Sequence, residues 1–116
     1  MAALIYPETV RYVAEVDKEI VGFIVGDRRR QKDMGWVATL AVAPDFRRRG
    51  IAGHLLHTCE AGLGTTRIRL SLRVSNHAAY DLYLKAGYTE TDRWQRYYRD
   101  REDAIVMEKN RQLPEA

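Results

Sequence analysis

Leu40-Ala41-Val42-Ala43-Pro44-Asp45-Phe46-Arg47-Arg48-Arg49-Gly50-Ile51-Ala52-Gly53 decides how this chain is read. An apolar run ends at Pro44, which has no N–H to give a sheet ladder. Three arginines follow, and from Gly50 the hydrophobic period changes. Ile51, Leu55, Cys59 and Leu63 recur every four residues with Leu56 alongside, which predicts an amphipathic helix over 50–63. Gly62 and Gly64 supply its stop. The stretch is therefore a strand, a tight basic turn and a helix. The first N–H groups of a helix have no internal partners and sit at the positive end of the macrodipole. Such an end binds phosphate, and Gly50, Ala52 and Gly53 let a ligand approach the backbone closely. Neither Gly-x-x-x-x-Gly-Lys nor Gly-x-Gly-x-x-Gly is present. A solvated basic loop capping an ordinary helix fits the local physics equally well.

Working outward, Val10, Tyr12, Ala14 and Val16 alternate against Arg11, Val13, Glu15 and Asp17, which predicts a half-buried strand over 9–17. Asp17-Lys18 is a short turn into a second strand over 20–26, making a hairpin. A third apolar run covers 36–42. After the helix, Ile68, Leu70, Leu72 and Val74 alternate against Arg67, Arg69, Ser71 and Arg73 as a fourth strand. Asn76 is a good N-cap for a second helix over 77–86, Gly87 its stop, and Asp81 and Lys85 an i,i+4 pair on it. Residues 88–97 and 104–109 read as a final hairpin, with a polar, frayed tail from Asn110. The order is β-β-β-α-β-α-β-β. The three leading strands are expected to be antiparallel, and the helical crossovers imply a mixed α/β sheet.

The 116 residues fit one domain, 1–116, and the balance of 46% apolar to 30% charged residues is that of a folded soluble chain. The net charge of +3 mildly favours anionic ligands without demanding nucleic acid. No apolar run approaches the length of a membrane span. The first eight residues, Met1 to Glu8, lack the basic start and apolar core of a signal peptide. A single cysteine, Cys59, excludes an intrachain disulfide, and a cytoplasmic protein is expected.

Three motifs in order carry a resemblance. Arg47-x-x-Gly50-x-Ala52, entered from Leu40-Ala41-Val42, resembles the acetyl-coenzyme A pyrophosphate loop of the GNAT N-acetyltransferase superfamily. Asn76-x-x-Ala79-x-x-Leu82-Tyr83-x-x-x-Gly87-Tyr88 resembles its second half. Arg73-Val74-Ser75-Asn76, Arg96-Tyr97-Tyr98 and Glu102-Asp103-Ala104-Ile105-Val106-Met107 are similar to the ribosomal-protein-alanine (protein N-terminal) acetyltransferases within it. The resemblance runs from Thr9 to Lys109 and implies a compact GNAT-like fold.

It also implies roles. The Leu40, Ala41 and Val42 backbone would pair with the pantetheine arm, and Arg48, Arg49, Gly50, Ile51, Ala52 and Gly53 would cradle the pyrophosphate. Asn76 would hydrogen-bond the cofactor, and Tyr83 would be the general acid that protonates the departing thiolate. Read without the resemblance, Tyr83 is better taken as a packed aromatic with a satisfied hydroxyl. Tyr97 and Tyr98 would hold the acceptor's first residues, or reflect strand propensity alone. The acceptor is expected to be a protein or peptide α-amine. A small amine or amino acid, or a cofactor-binding module without catalysis, are the other readings.

Two departures stand out. The position where the terminal acetyltransferases usually carry a glutamate base is Ser71, and no acidic residue stands near Trp36. An α-amine, with a pKa of about 7.7–8.0, is already about a tenth neutral at pH 7, whereas a lysine near about 10.4 is almost wholly charged. An enzyme without a strong base therefore suits α-amines. The usual N-terminal strand and helices, which wall the acceptor groove, also have no counterpart before Thr9. A homodimer lending that wall is one expectation. His54 and His57 match no metal-ligand set, so no metal is expected. Cys59 falls on the apolar helix face as an inert thiol. Arg28, Arg29, Arg30 and Lys32 read as a solvated basic loop, and no nucleic-acid partner is expected.

Overall fold

A computed structural model of the chain describes residues 8–29 and 32–112. The element order is β1 (Glu8–Val16), β2 (Glu19–Arg29), β3 (Met34–Val42), α1 (Ile51–Leu63), β4 (Arg67–Arg73), α2 (His77–Lys85), β5 (Thr89–Trp94) and β6 (Ala104–Asn110). The expected order holds. One six-stranded sheet runs β1-β2-β3-β4-β6-β5, so β6 inserts between β4 and β5. The first three strands are antiparallel, β3 and β4 are parallel, and the mixed sheet follows from the α1 crossover.

Local chemistry explains the boundaries. Asp17 and Lys18 both take positive φ, the two-residue turn whose twist matches a hairpin. The second helix is capped at both ends. Asn76 Oδ1 accepts from the Ala79 N–H at 3.2 Å. Gly87, at φ +98°, lets Tyr88 N–H reach back to the Tyr83 carbonyl at 2.9 Å. Asp81 and Lys85, expected to pair, make no salt bridge.

The core lies between α1 and the sheet. Leu55, Leu56, Cys59 and Leu63 of α1 pack on Ile24, Val37, Ile68, Leu70, Leu72, Ile105 and Met107. Gly26 makes room for the helix, since a Cβ there would meet Cys59 Sγ at 2.7 Å. Glu60 is buried on the same helix. Its carboxylate accepts from Tyr88 Oη at 2.7 Å and from Lys109 Nζ at 3.1 Å. A buried carboxylate persists only when paired and hydrogen-bonded in this way.

Three expectations are revised. The fifth strand ends at Trp94, so Tyr97 and Tyr98 lie in the β5–β6 connection. Arg28 and Arg29 belong to β2, and Arg28 is no solvated loop residue. It pairs with Glu8 and donates to the Leu63 carbonyl at the end of α1. Asn110 closes β6 opposite Arg67, and Arg111 donates to the Thr65 carbonyl at 2.8 Å, so the strand continues into the stretch expected to fray. Residues 1–7, 30–31 and 113–116 lie outside the described residues.

Candidate active site

The site begins where two strands part. β3 and β4 pair only from Met34 to Val37 on one side and Arg67 to Leu70 on the other. A register shift against β2 at Ala38 bends β3 there. Beyond it, Leu40, Ala41 and Val42 pair with β2 and have no strand on the β4 side. The edge therefore offers backbone groups to an extended ligand, although Arg47 Nε already donates to the Val42 carbonyl at 3.1 Å.

A 3-10 turn over Pro44–Phe46 leads from that edge to α1. Arg48 takes φ +64° and Gly50 φ +80° as the N-cap, a conformation glycine adopts without the cost a Cβ imposes. No side chain caps the helix, and its first turn carries no acidic residue. His54 N–H donates to the Gly50 carbonyl at 3.1 Å, so the N–H groups of Ile51, Ala52 and Gly53 are the orphans of the first turn. Arg48 and Arg49 are exposed beside them, and the Arg49 guanidinium lies 5.0 Å from the Phe46 ring centre. Free N–H groups and guanidinium charge thus gather at one helix start, an arrangement with the chemistry to accept an anion.

Leu82 of the second helix comes near Gly53 in the first turn of α1, its Cδ1 4.0 Å from where a Cβ would stand. Asn76 spends its carbonyl oxygen on the helix cap and keeps its amide N–H groups as donors. Tyr83 is buried to 7% exposure, its ring edge-on to Tyr88 at 5.8 Å. Its hydroxyl has no hydrogen-bond partner among the described residues. Burial, and then the neighbouring Tyr98, push the phenol up to about 12. It keeps its proton throughout the neutral range.

On the sheet face away from α1, Trp36 stacks on Trp94 at 6.1 Å, Trp94 meets Tyr97 at 5.1 Å, and Tyr97 meets Tyr98 edge-on at 5.1 Å. Arg73 lies over Tyr98 and binds Asp100 and Glu102. Sequence reading missed Trp36 and Trp94 because they sit on strands far apart in the chain. Their signal is that both are tryptophans at outward positions.

The acidic groups near this face are engaged. Hydrogen bonds from Ser75, and then Arg73, hold the Glu102 carboxyl below its usual value. Burial works to raise Glu108, but hydrogen bonds from Arg69 and Asn110 outweigh it and bring the carboxyl down. Ser71 sits on β4 opposite Val106, with no carboxylate of its own to offer.

The chain belongs to the acetyltransferase (GNAT) family, whose description matches residues 2–88. It is 38% identical, over 86% of its length, to an uncharacterized N-acetyltransferase of Methanocaldococcus jannaschii, of which it covers 65%. Its fold superposes on the ribosomal-protein-S18-alanine N-acetyltransferase from Escherichia coli with a TM-score of 0.81. The two are 27% identical, covering 92% of this chain and 72% of that one. A chain of the NatC complex bound to Gag peptide and CoA gives 0.80 at 28% identity, covering 88% of this chain and 71% of that one. The chain thus spans about two thirds of the length of the curated relatives it matches. No helix among the described residues is long and apolar enough to cross a membrane.

Proposed function

We propose that the chain is an acetyl-coenzyme A-dependent N-acetyltransferase whose acceptor is the N-terminal α-amine of a protein or peptide. One observation carries this reading: the unpaired Leu40–Val42 edge leads into a helix start with three free N–H groups and flanking arginines. An extended arm followed by a pyrophosphate matches that order of backbone edge and anion site. The ribosomal-alanine and NatC likenesses support an α-amine acceptor, and the NatC complex holds CoA and a peptide together.

The proposed chemistry is direct. The neutral amine attacks the thioester carbonyl carbon, the C–S bond breaks, and the amine nitrogen loses its extra proton to water. Tyr83, protonated and without another partner, donates a hydrogen bond to the leaving sulfur. A phenol pushed up to about 12 is a weaker acid than a thiol at about 8.5, so the hydrogen bond comes first; the proton that then passes to the sulfur is replaced on Tyr83, through water, by the one the amine releases. Arg48, Arg49 and the N–H groups of Ile51, Ala52 and Gly53 hold the pyrophosphate. The amide of Asn76 steadies the cofactor, and Tyr97 and Tyr98 border the acceptor.

The test is thiol release from acetyl-coenzyme A across short peptides with free or blocked N-termini, polyamines and amino acids. Release with free but not blocked peptides is expected. Equal turnover of a free amino acid would replace the peptide reading with a small-amine one. Cofactor binding with no release on any acceptor would leave a binding module.

A further inference from the structure

The connection between β5 and β6 sorts its charges. Its acids are tied to the protein. Asp100 and Glu102 accept from Arg73, Glu102 also from the Ser75 N–H, and Asp103 from the Arg96 N–H at 2.9 Å. Its arginines are not. Arg96, Arg99 and Arg101 are exposed, and none of their guanidinium groups has a partner among the described residues. The acids and arginines of this connection balance in number, so its sum of charge conceals the basic face it turns to solvent.

That face is held in shape. The Tyr98 carbonyl accepts from the Arg101 N–H at 2.8 Å, closing a turn with Arg99 and Asp100 at its centre. Arg101 then takes φ +69°, the left-handed conformation that usually falls to glycine after such a turn. Arg96, at φ +50°, sits in the same region. Arginine thus stands at two positions where glycine would cost the backbone less. The connection also reaches the reacting end of the molecule. Tyr98 lies close enough to Tyr83 to help push its phenol up.

We propose that Arg96, Arg99 and Arg101 form a site for an acidic peptide segment, so that the preferred acceptor is an α-amine followed closely by Asp or Glu. The inference rests on the α-amine reading for its placement of the acceptor beside Tyr97 and Tyr98. Guanidinium groups bind carboxylates through charge-assisted, often bidentate hydrogen bonds. A short acidic stretch matches three arginines on one turn. The acids interspersed along the same connection, and a net charge of only +3 for the whole chain, disfavour a long polyanion.

The test compares peptides with a free N-terminal alanine and Glu, Gln or Lys at the second to fourth positions. Thiol release from acetyl-coenzyme A runs beside equilibrium binding of the same peptides, labelled at the C-terminus. An exposed ion pair is worth up to about fivefold. The Glu peptide should therefore exceed the Gln peptide by about tenfold in kcat/KM, through KM, and the margin should shrink as salt rises. Arg96→Gln/Arg99→Gln/Arg101→Gln should bring that ratio close to one. Arg96→Glu/Arg99→Glu/Arg101→Glu should turn the preference toward the Lys peptide. Ratios within one variant cancel any general loss of activity, and thermal unfolding checks the fold. Equal transfer to all three peptides overturns the inference and leaves the α-amine reading standing. Glu-selective binding that needs the arginines, without transfer to any peptide, upholds the acidic-peptide site and removes the α-amine reading. An acid preference that survives the triple substitution overturns the inference. So does a single-stranded oligonucleotide that displaces the Glu peptide at equal concentration.

Discussion

The Arg73 guanidinium lies 4.3 Å from the centre of the Tyr98 ring while its Nη1 donates to both oxygens of Asp100, at 2.9 and 2.7 Å, and to Glu102 at 3.2 Å. One side chain from the end of β4 thus ties down the connection that carries Tyr97 and Tyr98. Glu102 extends the tie by accepting from the Ser75 N–H at 2.8 Å. Arg73→Met is expected to raise KM for a peptide acceptor roughly two- to fivefold, the value of one exposed cation–π contact, and to leave cofactor affinity unchanged. Steady-state kinetics with separate variation of the two substrates checks it. An equal loss for both substrates would assign Arg73 to the fold instead.

Tyr83→Phe removes only a hydroxyl that has no partner among the described residues, so stability should hardly change. Turnover should fall about a hundredfold, the scale of a lost proton donor, with cofactor affinity within about twofold. Calorimetric binding beside a turnover assay separates the two. Unchanged turnover would remove Tyr83 from the mechanism.

The pH dependence should follow the acceptor. Glu102 and Glu108 are occupied by Ser75 and Arg73 and by Arg69, and their carboxyls are held low, so neither serves as a base near neutrality. With an α-amine, kcat/KM should rise as pH passes about 8 and then level, because deprotonation frees the nucleophile. With a lysine side chain the rise should move toward about 10.4. The descending limb waits for loss of the Tyr83 proton near 12. A rise fixed at one lower pH for both acceptors would reveal an enzyme base.

Gly26→Ala would drive a Cβ into Cys59 Sγ, with Leu63 Cδ2 at 3.2 Å behind it. A destabilisation of about 1–3 kcal/mol is expected, as for other overpacked cores. Adding Cys59→Ala should recover part of it, which chemical denaturation can measure. In the unsubstituted protein, burial, and then the neighbouring Glu60, push the Cys59 thiol up to about 11, so it should resist alkylation until the chain unfolds.

Glu60→Ala strips a buried partner from both Tyr88 and Lys109 and should cost about 3–5 kcal/mol. Pairing it with Lys109→Met should be milder, since no ammonium is then left facing the core. A double-mutant cycle by thermal unfolding gives the coupling.

Local signals were enough for the element order. The period-two runs of β1 and β4, the period-four run of α1, the Asp17-Lys18 turn and the Asn76 and Gly87 caps are interactions between near neighbours, and near neighbours are adjacent in sequence. The basic turn into Gly50 was legible for the same reason, because a helix start is a local object. Distance decided the rest. That β6 inserts between β4 and β5, that β3 leaves β4 after Val37, and that Trp36 stacks on Trp94 depend on which surfaces meet after collapse. The same holds for Arg73 over Tyr98 and for Glu60 between Tyr88 and Lys109. Long-range pairing and burial are set by how many surfaces can be covered at once, and no short stretch of sequence records that sum.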